Sequence, residues 1–140
     1  MEITANTLQT VAAGEDVLFT ETAVNGNCSI IHREGSGIVT LRALPNGQCR
    51  ARFRACFGAN IGVPEGGTVA PVSLAIAING EGIQTSRMIS TPAAAADLNN
   101  VFSSVYIDIP IGCCYSISVK NMTLADIAVQ NANLIIERTA

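Results

Sequence analysis

Five cysteines, one histidine and a row of arginines are the residues of this chain whose types could do chemistry. The cysteines are Cys28, Cys49, Cys56, Cys113 and Cys114. No two are spaced Cys-x-x-Cys, so the chain shows neither a zinc-ribbon knuckle nor a thioredoxin-like redox pair. Cys113 and Cys114 point to opposite faces of a regular strand, and a vicinal disulfide would strain the peptide between them. An odd number leaves at least one thiol free or paired between chains. Two readings stand for these residues: small buried hydrophobes in a reducing compartment, or cross-links in a surface assembly. A cysteine nucleophile would need the single histidine, His32, nearby in space. Beside Arg33 and Glu34, His32 reads as a structural or surface group, and no enzymatic activity is expected.

Arg50, Arg52 and Arg54 share one face of an alternating run whose other face is Ala51, Phe53, Ala55 and Phe57. Arg42 is a candidate extension of this cationic stripe. In a chain of net charge -3 such a stripe needs partners, and Glu34, Glu65 or Asp108, of the same or a neighbouring chain, could supply them. It reads as an interface of ion pairs, a solvated face or an anion contact. The expectation is the interface, with Arg52 pairing a carboxylate of a neighbouring copy. Asp97, Asp108 and Asp126 are candidate calcium ligands, but no Asp-x-Asp-x-Asp loop occurs. No metal and no cofactor are expected. Asn27-Cys28-Ser29 and Asn121-Met122-Thr123 fit the glycosylation acceptor pattern and read as chance matches.

The elements that must position these groups are short and extended. The 140 residues suit one domain, 1–140, with residues 1–15 an N-terminal arm or edge strand. Apolar residues make up 49% and charged residues 14%, against about 25% charged in an average soluble domain. With no Trp, the core falls to Val, Ile, Leu and Ala. So little charge points to apolar surface facing another subunit. The negative net charge gives no field that would attract nucleic acid. No apolar run reaches the roughly 18 residues of a membrane span, so no membrane insertion is expected. The N-terminus lacks a basic segment followed by an apolar core, so no classical secretory signal is expected.

Period-two runs predict strands over 16–22, 28–31, 38–43, 50–59, 72–79, 83–89, 101–109, 113–119 and 127–137. Turns fall at 34–37, at Pro45-Asn46-Gly47 and at Asn79-Gly80. Residues 91–98 read as one or two helical turns, with Thr91 as N-cap and Pro92 at the first helical position. Phe53, Phe57, Leu74, Ile76, Ile107 and Ile117 are expected inside. Ser73, Ala75 and Ala77 form a small-residue face, either thinly covered solvent surface or a subunit contact. The pattern is that of an all-β domain, a sandwich or barrel of about eight to ten strands, and eight strands in two sheets would make a jelly roll.

Several runs resemble a known group: HREGSGIVTLR at 32–42, CRARF at 49–53, FGANI at 57–61, IAING at 76–80 and VQNANL at 129–134. They are similar to short Firmicutes proteins that themselves resemble the C-terminal head domain of the exosporium glycoprotein BclA, a C1q/TNF-like jelly roll. The resemblance implies a ten-stranded jelly roll in a tight homotrimer around a three-fold axis. It transfers no catalytic or binding residue. This chain lacks the collagen-like Gly-X-Y stalk, so a place in a spore-surface nap does not carry over. The expected function is a structural, self-assembling trimeric subunit of a bacterial surface, spore or extracellular assembly, whose partner is itself. The alternative is a trimeric head that binds a glycan or a protein. The expected location is a cell or spore surface or the exterior, with the mother-cell cytoplasm as the other compartment.

Overall fold

Alternating side chains divide this chain into strands with one apolar face each. The computed structural model describes residues 1–140. Its strands are β1 (Glu2–Ala5), β2 (Gln9–Val11), β3 (Glu21–Val24), β4 (Ile30–His32), β5 (Val39–Arg42), β6 (Arg50–Gly62), β7 (Val72–Ile78), β8 (Glu81–Gly82), β9 (Met88–Ser90), β10 (Asn99–Pro110), β11 (Cys114–Asn121) and β12 (Ile127–Arg138). There is no α-helix, only a 3-10 turn at Gln84–Ser86.

The strands form two six-stranded antiparallel sheets. The first runs β10-β6-β12-β1-β3, with β2 also on β12; the second runs β4-β5-β11-β7-β8, with β9 also on β7. Strands adjacent in space are mostly distant in sequence, because the chain crosses repeatedly between sheets. This is a jelly-roll-like all-β sandwich. All six side chains expected inside are at most 2% exposed, and the Phe19 and Phe57 rings meet edge to face at 6.3 Å. The chain exposes 7057 Å², close to the roughly 6900 Å² of a compact monomer of this mass. One copy is thus a closed fold, and any association draws on what its surface carries.

Six local expectations are corrected. Residues 1–15 are an edge only in part: β1 lies inside the first sheet, between β12 and β3, whereas β2 pairs with β12 alone. Residues 16–20 are extended but belong to neither ladder throughout. The Val17 amide donates to Val119 of the second sheet, and the Thr20 amide donates to Thr4 of the first. Phe19 bonds the turn at Gly35 and Ser36 in between. The strand expected at 28–31 begins only at Ile30, because the Asn27 side chain accepts from the Ser29 amide and closes a turn there. The strand expected over 83–89 is broken by Ser86. Its buried hydroxyl donates to the Ile83 carbonyl at 2.6 Å and accepts from the Ile76 amide at 2.9 Å.

The helix expected at 91–98 is absent. Eight residues are too few to hold a helix without tertiary support, and here the segment forms a strap with a single turn, in which the Asp97 amide donates to the Ala94 carbonyl at 3.3 Å. The Ala96 amide donates to the Val63 carbonyl, Ala96 adopts a positive φ of 69°, and the Asp97 carbonyl lies against Gly62. The small-residue face of β7 is neither solvent surface nor open to a subunit. Ser73, Ala75 and Ala77 are all buried. Lys120 lies opposite Ala75, Met122 lies against Gly82 beside Ala77, and Arg87 donates to the Ser73 hydroxyl at 3.3 Å.

Candidate functional site

The outward face of the first sheet gathers the arginine stripe, Asp108 and one of the five cysteines. Along β6, Ala51, Phe53, Ala55 and Phe57 turn inward, so Arg50, Arg52, Arg54 and Cys56 turn outward. The β6–β10 register then sets Asp108 opposite Arg52, Tyr106 opposite Arg54, Ser104 opposite Cys56 and Phe102 opposite Gly58. Arg52 donates from Nε to Asp108 Oδ1 at 2.8 Å and from Nη2 to Oδ2 at 3.0 Å. Of the carboxylates considered from sequence, Asp108 of the same chain is the partner. This corrects the expectation that a neighbouring copy supplies it. The hydrogen bond from Arg52 holds the Asp108 carboxyl below its ordinary range, and the same bond raises Arg52. The guanidinium also lies 5.9 Å from the centre of the Tyr106 ring. Arg54 reaches the Ser104 hydroxyl, and neither Arg50 nor Arg54 has a carboxylate within ion-pair distance.

The same outward face carries exposed apolar side chains, Phe102 and Tyr106 on β10, Ile135 on β12 and Val24 on β3, with Cys56 and Glu2 in register between them. Phe102 is 64% exposed, Tyr106 67%, Val24 56% and Ile135 40%. Phe102 stands over Gly58, where an added Cβ would lie 3.6 Å from the ring. Alongside runs an amide ladder across three strands. Asn100 donates to Asn60 and Asn60 donates to Asn131, each at 3.1 Å. Asn131 sits at the β12 irregularity with a φ of +55°. The exposed aromatics and the ladder went unnoticed in the sequence. The signal for the aromatics was there: Phe102 and Tyr106 fall on the polar phase of the alternating run 101–109.

The five thiols are all free. Their burial corrects the reading of small buried hydrophobes. Cys28, Cys49, Cys113 and Cys114 are exposed, and Cys56 is half-buried with Sγ 3.3 Å from the Ser104 hydroxyl. Cys113 precedes β11 rather than lying in it.

The remaining candidates serve the fold. His32 bonds the Ser36 carbonyl through Nε2 at 2.8 Å and packs edge-on against Phe19, with no bond to a cysteine. No group of three or more His, Cys, Asp and Glu side chains is placed to hold a metal ion. Asn121, the second acceptor-pattern asparagine, is buried. Its Nδ2 donates to the carbonyls of Val11, Ala12 and Ala125 and its Oδ1 accepts from the Thr123 amide, tying three segments together. Asp16 lies half-buried beside β11. Burial pushes its carboxyl above the ordinary range, partly offset by the Ser118 hydroxyl and Lys120.

No protein-family model matches the chain, and no curated protein sequence matches it. Among solved structures, it is similar to a sugar-binding protein, the EclA C-terminal domain, at 13% identity and a TM-score of 0.37, over 84% of this chain and 89% of that one. It is also similar to the salicylyl-acyltransferase SsfX3 of a tetracycline biosynthetic pathway, at 12% identity and a TM-score of 0.34. That match takes in 99% of this chain but spans only 42% of the acyltransferase. Likenesses of this size assign neither function nor family.

Proposed function

We propose that the chain is a non-enzymatic structural subunit that associates with copies of itself, as a homotrimer, through the outer face and β10 edge of the first sheet. The carrying observation is the exposure of Phe102 and Tyr106 on one outward face. The chain has only four Phe and two Tyr, and it buries Phe19, Phe53 and Phe57 completely. Aromatics are enriched at the centres of protein interfaces, where Lys and Glu are depleted. The one lysine, Lys120, lies in the other sheet.

The edge supports the same partner. β10 is a twelve-residue strand at the border of its sheet, with Asp108 as its one charged residue and its one proline, Pro110, at the last position. Natural edges of that length are usually guarded by lysines, bulges or proline within the strand, because an unguarded edge pairs with another chain. Arg50, Arg54 and Glu137 make no ion pair within the chain. A second copy presents both signs of charge and so complements them.

A ligand-binding head is the competing reading. Exposed Tyr106, flanked by Arg52 and Asp108, combines an apolar ring with polar groups that could orient a sugar. Light scattering in reductant, paired with glycan-array binding, separates the two. A mass three times the 14.6 kDa chain with no retained glycan supports the structural subunit. A 14.6 kDa species, or a discrete trimer with specific glycan retention, overturns it.

A further inference from the structure

Four of the five thiols stand together at one end of the sandwich. Cys28 lies in the β3–β4 connection, Cys49 closes the β5–β6 connection, Cys113 lies in the β10–β11 turn and Cys114 opens β11. Backbone hydrogen bonds lash these connections to one another. The Cys113 carbonyl accepts from the Ala43 amide at 3.0 Å, the Cys49 carbonyl from Ile111 at 3.2 Å, and the Ser29 carbonyl from Arg42 at 2.7 Å. Arg138 completes the tie, donating to the Ser29 hydroxyl at 3.1 Å and the Leu44 carbonyl at 2.7 Å. The opposite end, built by connections 63–71, 91–98 and 122–126, carries no cysteine.

Nothing within one copy uses these four side chains. All are exposed, none is joined to another, none makes a side-chain hydrogen bond, and no metal-holding group includes them. Exposed free thiols are a liability that soluble surfaces generally avoid. Four in 140 residues, confined to one end and held on a lashed set of loops, make a patterned surface rather than scatter.

We propose that this end is a disulfide cross-linking face that joins one copy of the chain to another. It rests on the proposed self-association only in requiring a second copy. The oxidant is a low-molecular-weight disulfide. A thiolate of one copy attacks it, forming a mixed disulfide and releasing one small thiol. A thiolate of the second copy then attacks the protein sulfur of that mixed disulfide and releases the second small thiol. The two protein thiols lose two electrons and two protons in all, and the small disulfide gains them. Cys56 stands apart on the sheet face, half-buried against Ser104, and takes no part.

The test uses the full chain, purified in dithiothreitol, exchanged into oxidised glutathione, quenched with N-ethylmaleimide, run on non-reducing gels and mapped by mass spectrometry. Wild type and Cys56→Ser should both form dithiothreitol-reversible covalent multimers. The mapped links should join Cys28, Cys49, Cys113 or Cys114 of different copies, shown by mixing isotopically light and heavy chains. Replacing these four by serine together should cut the multimers at least tenfold. Multimers that persist in that variant or vanish in Cys56→Ser overturn the proposal. So do links confined to single copies, Cys113–Cys114 included, or no links at all. Mapping of wild type stands even if the four-serine variant folds poorly. Light scattering in dithiothreitol reads the non-covalent association separately. A trimer there without cross-links sinks this inference alone; a reduced monomer sinks the proposed function.

Discussion

Arg52 holds Asp108 across the β6–β10 pair through two parallel hydrogen bonds, at 2.8 and 3.0 Å, so the central arginine of the stripe is neutralised inside its own chain. The pair is exposed, where ion pairs add little to stability. Its clearest signature is therefore the titration of Asp108. Its folded value lies below the ordinary 3.8, so the stabilisation is present above that value and is lost as pH falls through the lower folded one. In an NMR titration, Asp108 should titrate below the ordinary 3.8, and Arg52→Ala should raise it. Unchanged titration in the variant would contradict the pairing.

Asp16 has the opposite sign. Its folded value is raised above the ordinary 3.8, first by burial. Folding therefore favours the protonated form, and a penalty develops as pH rises from the ordinary value through the raised one. Asp16→Asn should flatten that part of the pH–stability profile and raise the neutral-pH Tm relative to wild type. Thermal melts across the acid range read this directly. A variant with the wild-type slope would show that Asp16 does not carry it.

The interior is most exposed to damage at Phe57, fully buried and packed edge to face on Phe19. Phe57→Ala should cost about 3–5 kcal/mol in urea unfolding of the reduced protein. A loss under about 1 kcal/mol would mean that the first sheet does not face the core through this residue.

Two glycines of β6 should respond differently to alanine. At Gly62 an added Cβ would lie 2.0 Å from the Asp97 carbonyl oxygen, so the strap over 91–98 must move. Gly62→Ala should cost about 1–3 kcal/mol. At Gly58 the nearest atom is the Phe102 ring at 3.6 Å, ordinary contact. Gly58→Ala should fold with a melting transition close to wild type. Equal effects at the two sites would contradict the docking of the strap.

What the sequence made legible was the long alternating strands. The run 50–59 reads correctly because strict alternation of Phe and Ala with Arg has one buried solution. The Asn79-Gly80 turn reads correctly because both residues take positive φ, at 50° and 87°. Segments whose partners are remote in sequence read poorly. Residues 16–20 satisfy their amides alternately on two sheets, and Ser86 breaks an apolar run by bonding Ile76 and Ile83. No local pattern announces either. The alanines at 93–96 carry helix propensity that the Val63 and Gly62 contacts override. The candidate site divides along the same line. The arginine stripe was visible as a period. The facing of Asp108, Tyr106 and Phe102 depends on the β6–β10 register, and the gathering of four cysteines depends on three connections meeting at one end.

The central claim is association through the outer face of the first sheet, and native mass measures it most directly. Light scattering of the reduced protein at micromolar concentration should give three times the 14.6 kDa chain mass. The Phe102→Ser, Tyr106→Ser variant should run as a folded monomer. Losing two central aromatic contacts typically weakens an interface by about 2 kcal/mol or more, roughly 30-fold. A wild-type mass of 14.6 kDa, or a variant that keeps the wild-type mass, would contradict the account.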